Sequence, residues 1–174
     1  MNYLLGRELV ALRSTNRLTL YGVMTALALI LSFVESQIPA FVAIPGMKVG
    51  LTNIVVLFAL YAIDEKGALL INLVRILLVS LLFGSALSFV FSLAGGLLSY
   101  LVMILLKKTD RFGIVGVSVA GGVSHNIGQI LVAMVVMNTK AIALYLPVLW
   151  ATGVFSGILV GIIGGLVVKR VPMK

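Results

Sequence analysis

Residues Gly113 to Met137 read GIVGVSVAGGVSHNIGQILVAMVVM. At ~1.5 Å of helix rise per residue this uncharged run is long enough to cross a ~30 Å hydrocarbon core. His125, Asn126 and Gln129 nevertheless stand in its middle and outer part. His125 and Gln129 share a helix face, and Asn126 lies roughly 100° round from His125. Polar side chains at such depth are costly and are expected to face protein or a cavity, not lipid. The remainder of the chain reads as the wall around that face, an all-α integral membrane bundle.

Composition supports this reading. Of 174 residues, 61% are hydrophobic and only 10% charged, and the mean hydropathy is +1.24, which leaves too little polar surface for a soluble domain of this size. The first apolar run begins near Leu18, behind a basic arm, and no soluble domain follows it, so a cleaved signal sequence is not expected. Cysteine is absent and histidine occurs once, which excludes disulfides, thiolate chemistry and a conventional zinc site. No metal or other cofactor is expected. The net charge of +8 sits at helix ends, where anionic headgroups attract it, so membrane lipid and not nucleic acid is the expected partner of the basic residues.

Hydropathy divides the chain into a basic interfacial segment at 1–17, six spans within 18–168, and a basic tail at 169–174. The spans fall at 18–36, 48–63, 67–83, 86–106, 113–137 and 144–168, the second being short. The run from Gly67 to Leu106 carries Arg75 as its one charge and is too long for a single crossing. Gly84-Ser85 is its reversal point. Of the 13 Lys and Arg residues, Arg7, Arg13, Arg17, Lys66, Lys107, Lys108, Arg111, Lys169, Arg170 and Lys174 fall on one side of this topology. The positive-inside rule therefore places both termini in the cytoplasm.

The loop Ile38–Lys48, IPAFVAIPGMK, is apolar but broken by Pro39 and Pro45. It reads as a lid or as a stiff connector packed on helix ends. Small residues recur at helical spacing: Gly22-xxx-Ala26 in the first span, Ser85, Ser88, Ser92, Gly95 and Ser99 in the fourth, and Gly153-xxx-Gly157-xxx-Gly161 in the last. Such stripes let helix backbones approach closely, mostly within one bundle.

Counting from charged flanks puts Arg75 ~13 Å above the cytoplasmic edge, His125 and Gln129 ~21 and ~27 Å up, and Asn53 ~7 Å below the outer edge. Glu35 ends the first span near that edge. These residues gather between midplane and outside, as a pocket loaded from outside would require. A mid-span arginine costs ~2.5–3.5 kcal/mol on insertion scales and needs a partner. Either Glu35 pairs with it, or it receives an anionic group of a substrate. His125 is a hydrogen-bonded core histidine or a ligand contact, and Asn72 reads as packing glue between helices. No paired acids, magnesium-diphosphate motif, phosphate-cradling GxxxxGK[ST] or nucleophile with a base is present, so neither an enzyme nor self-powered transport by ATP is expected. The ligand expected for such a pocket is small and amphipathic, its anionic or carbonyl group directed to Arg75, His125 and Gln129 with Asn53 and Asn126 nearby.

Three blocks, PGMKVGLTNIVVL at 45–57, FGSALSFVFSLAGGLLSYLVM at 83–103 and GVSVAGGVSHNIGQILVA at 116–133, resemble the bacterial Gx transporter family, also labelled heptaprenyl diphosphate synthase component I. The likeness covers about residues 18–168. That family is similar to the substrate-binding S components of energy-coupling factor (ECF) importers: six helices, cytoplasmic termini, and an outward pocket roofed by the first loop. The resemblance implies a multi-pass protein of the bacterial cell membrane that binds a micronutrient or cofactor precursor. It also implies docking of the first helix, through Gly22 and Ala26, on a transmembrane coupling subunit driven by two ATPases. The usual docking pattern has Ala at both positions. The alternative carried by the family label is a membrane subunit attached to a prenyl-diphosphate or quinone pathway enzyme.

Overall fold

The computed structural model describes residues 2–37 and 50–171, and it is helical throughout its ordered elements. Helix α1 spans Asn2–Gln37, α2 spans Asn53–Phe58 and runs on as a π-helical turn at Ala59–Ile63, and α3 spans Glu65–Phe83. Helix α4 follows at Ala86–Lys108, α5 at Ile114–Val136, and α6 at Leu146–Arg170 after a 3-10 turn at Lys140–Tyr145. Among the described residues, five helical stretches are long and apolar enough to cross a bilayer: Asn16–Gln37, Glu65–Phe83, Ala86–Lys108, Ile114–Val136 and Ala141–Arg170. The chain is a multi-pass membrane protein with an all-α bundle. The loop Ile38–Lys48, with its lid reading, and residues 172–174 of the basic tail lie outside the described residues.

Local chemistry sets the ends. The Asp64 carboxylate caps α3 by accepting the Gly67 N–H at 2.5 Å, and it also accepts the Tyr21 hydroxyl at 3.0 Å. Ser85 caps α4 by accepting the Ser88 N–H at 3.2 Å, so the reversal falls at Gly84-Ser85 as expected. Lys107 and Lys108 close α4, and Lys169 and Arg170 close α6, each basic pair meeting the negative end of its helix dipole.

Helices α4, α5 and α6 form a tightly nested layer because glycine removes the side chains between them. A methyl group at Gly157 would lie 2.5 Å from the Val119 Cα, one at Gly122 would lie 2.6 Å from the Gly153 carbonyl oxygen, and one at Gly128 would lie 2.9 Å from that of Ala94. The small-residue stripes of the fourth and sixth spans are therefore spent within the bundle. Helix α1 packs mainly on α3, where the Tyr21 ring covers Gly67, and its other side stays exposed. It is continuous through residues 17 and 18, where the sequence suggested a change from interfacial segment to span.

The second span departs most from expectation. Instead of a crossing at 48–63, the described chain turns at Gly50, whose φ of 82° only glycine adopts easily, and forms a helix only from Asn53. Its six α-helical and five π-helical residues rise roughly 15 Å, about half the ~28 Å of the 19-residue α3. Val55 to Leu60 are all buried, and Leu57 seats against Gly164 of α6. The element is a half-span enclosed by protein. The Lys107 ammonium donates to the Leu60 carbonyl in the π turn at 2.6 Å, satisfying an oxygen that the widened helix frees. Asn53, the first residue of this helix, consequently lines the same cavity as Arg75.

A candidate ligand site at mid-bundle

Five helices converge where α2 begins. Glu35 of α1, Asn53 of α2, Arg75, Ile76 and Val79 of α3, Ser92 of α4 and His125 of α5 line a cavity of about 30 Å³. That volume accommodates one or two waters in this packing. Four of the six residues expected to contact a ligand, Glu35, Asn53, Arg75 and His125, meet here. Ser92, which the sequence marked only as a small packing residue, joins them.

Arg75 is oriented from one side. Its Nη2 donates to the Asn72 Oδ1 at 2.7 Å, and the Asn72 Nδ2 donates to the Gly96 carbonyl at 3.2 Å. Asn72 is 2% exposed, so its carboxamide is locked between α3 and the α4 backbone. It does act as glue between helices, and it also aims the arginine, a role visible in hindsight from the three-residue spacing of the two. The Arg75 Nε is buried and makes no hydrogen bond. A guanidinium carries five N–H donors, so this one holds donors in reserve.

Glu35 is buried and committed elsewhere. Its carboxylate accepts the Gly50 N–H, and its second oxygen accepts the Thr52 hydroxyl at 3.4 Å. Ser32 and Thr52 hydroxyls meet at 2.8 Å beneath it. The acid thus brackets the C-terminal end of α1 to the turn that starts α2. It faces Arg75 across the cavity as the opposite charge but does not close to an ion pair; the ion pairs among the described residues are Arg17–Asp64 at 3.8 Å and Lys108–Glu65 at 3.2 Å, at the other end of the bundle.

Asn126 and Gln129 do not line this cavity. The Asn126 Nδ2 donates to the Leu149 carbonyl at 2.7 Å and pins α5 to the first turn of α6. Gln129 is buried with its stem against Gly95 of α4. A second, smaller space of about 10 Å³ lies between α4, α5 and α6 and is lined by Ser99, Ser118, Ser156, Met103, Val160, glycines and again Asn53. Gly22 and Ala26 are exposed on α1, and a methyl at Gly22 would meet nothing within 4 Å.

The sequence matches, over residues 24–167, the family described as heptaprenyl diphosphate synthase component I. The chain belongs to this family. Neither a curated protein nor a solved structure matches it. The matched span takes in the whole cavity and the half-span helix that forms one wall of it.

Proposed function

We propose that this component I family member is the substrate-binding S component of an ECF-type importer in a bacterial cell membrane. It takes up a small amphipathic micronutrient or cofactor precursor, catalyses no reaction of its own, and relies on a coupling subunit and two ATPases for energy. The observation that carries this reading is Arg75: a buried cation with spare donors, held by a locked asparagine at the edge of a polar cavity near mid-bundle. Charged groups at this depth characteristically serve a substrate or ion path. The half-span α2 adds support, since interrupted helices that begin beside a cavity are how transporters bring backbone and side-chain polarity to a ligand at midplane. The exposed Gly22–Ala26 face is compatible with docking of a partner helix.

Affinity purification of the tagged chain from its native membranes in mild detergent tests this. Copurification of a coupling subunit and two ATPases, lost in Ala26→Trp, is expected. Uptake by liposomes containing this chain alone, driven by a proton gradient, would contradict it. The family description favours a second reading, a membrane subunit of a prenyl-diphosphate-forming enzyme. Recovery of a soluble synthase on the basic end of the bundle, with no small molecule bound, would select that reading.

A further inference from the structure

Among the described residues, Asn53 lines both of these spaces. On one side of it lie Arg75, Glu35, Ser92 and His125; on the other lie Ser99, Ser118 and Ser156, with glycine backbone, Met103 and Val160 between them. Among the described residues, the first compartment holds Arg75, His125 and the acid Glu35, whose oxygens both accept hydrogen bonds, and the second holds no ionisable group. We propose that the two are ends of a single ligand site divided by the Asn53 carboxamide. The proposal rests on the ligand-binding role above and specifies the ligand: one anionic group, received by Arg75, and an uncharged hydrogen-bonding remainder of hydroxyl or amide character that reaches the serines once Asn53 turns aside.

The chemistry favours this class on both counts. Among the described residues, a second negative charge would find no Lys or Arg besides Arg75 in either compartment and would face the Glu35 carboxylate. An apolar tail would leave the Ser99 and Ser118 hydroxyls beside it without solvent, whereas hydroxyl or amide groups pair with them and with the lone pairs of Ser156, whose own proton goes to the Gly153 carbonyl at 3.3 Å. Asn53 is suited to be the divider because it stands at the first residue of α2, next to the Gly50 turn, and its side chain can pair with either compartment.

The absence of cysteine permits a direct test. Ser156→Cys places a thiol in the serine compartment at nearly constant volume, and Ser118→Cys does so from α5 should the first variant fold poorly. Full-length protein in detergent is treated with anionic sulfonatoethyl methanethiosulfonate and with its cationic trimethylammonioethyl counterpart, and labelling is followed by mass. The anionic reagent should react roughly tenfold faster, the lower end of what a charge-lined cleft does to association rates. Arg75→Gln should abolish that preference, and Asn53→Ala should accelerate both reagents. Labelling should be slowed by millimolar 6-hydroxyhexanoate and not by hexanoate or 6-hydroxyhexanamide. No labelling of either thiol, labelling without charge preference, or equal protection by hexanoate would overturn the proposal. Any of these results would leave the importer reading to stand or fall on copurification.

Discussion

The Arg75 guanidinium is held by Asn72, its Nη2 donating at 2.7 Å to a carboxamide oxygen whose own nitrogen is anchored on the Gly96 carbonyl of the neighbouring helix. The chain α4 backbone, Asn72, Arg75 fixes a cation at mid-bundle without neutralising it. Asn72→Ala should therefore do two things. It should lower stability by about 1–3 kcal/mol, since a buried carbonyl and a guanidinium both lose a partner, and it should weaken ligand retention at Arg75. Detergent unfolding followed by circular dichroism checks the first, and ligand occupancy by native mass spectrometry checks the second. Unchanged stability would show that the pair is not the anchor described.

Glu35 answers a different test. Its two carboxylate oxygens accept from the Gly50 backbone and the Thr52 hydroxyl, so Glu35→Gln keeps the shape but replaces one acceptor with a donor. The expected cost is about 1.5–3 kcal/mol, the range for hydrogen bonds to a charged group. Equal stability of Glu35→Gln and wild type would remove the bracket between α1 and the start of α2.

Glycines on the two kinds of helix face should respond oppositely. Gly157→Ala forces a methyl to 2.5 Å from the Val119 backbone and should cost about 1–3 kcal/mol by overpacking. Gly22→Ala meets nothing and should be neutral or gain up to about 1 kcal/mol from helix propensity. Thermal unfolding of the two variants side by side decides the matter. A destabilised Gly22→Ala would mean that α1 is not free on that face.

The π turn should depend on Lys107, whose ammonium satisfies the Leu60 carbonyl and lies 5.3 Å from the Tyr61 ring centroid. Lys107→Met retains the stem and removes the donor, and should destabilise by about 1.5–3 kcal/mol. Lys108→Met, which gives up only an exposed pair with Glu65, should cost well under about 1 kcal/mol. Equal effects of the two would show that the charge and not the Leu60 contact matters.

Much of the bundle was legible because hydropathy, helix length and capping residues agree. Ser85 and Asp64 mark helix starts by their side chains alone, and the uncharged run around Arg75 can reverse only at Gly84-Ser85. The half-span was not legible, because hydropathy cannot tell an apolar residue facing lipid from one facing protein, and Val55 to Leu60 face protein. Counting depth from Lys48 assumed a straight helix across 48–63, whereas the described α-helix begins only at Asn53. Helical periodicity grouped Gln129 with His125, and both side chains do lie against Gly95 of α4, but His125 also reaches the Arg75 cavity and Gln129 does not line it. The partners of Glu35 and Asn126 include backbone groups, Gly50 N–H and Leu149 C=O, and matching side chains by charge or polarity does not reveal such partners.

The most direct test of the account is native mass spectrometry of the chain purified in mild detergent from its own membranes, compared with Arg75→Gln prepared in the same way. The account predicts that wild type retains a small molecule bearing one negative charge, and that Arg75→Gln loses at least about 90% of it, the equivalent of 1.4 kcal/mol or more, while its circular dichroism remains that of the intact helical bundle. Equal retention by both proteins, or an empty wild type accompanied by unfolding of Arg75→Gln, would contradict it and make Arg75 a structural residue.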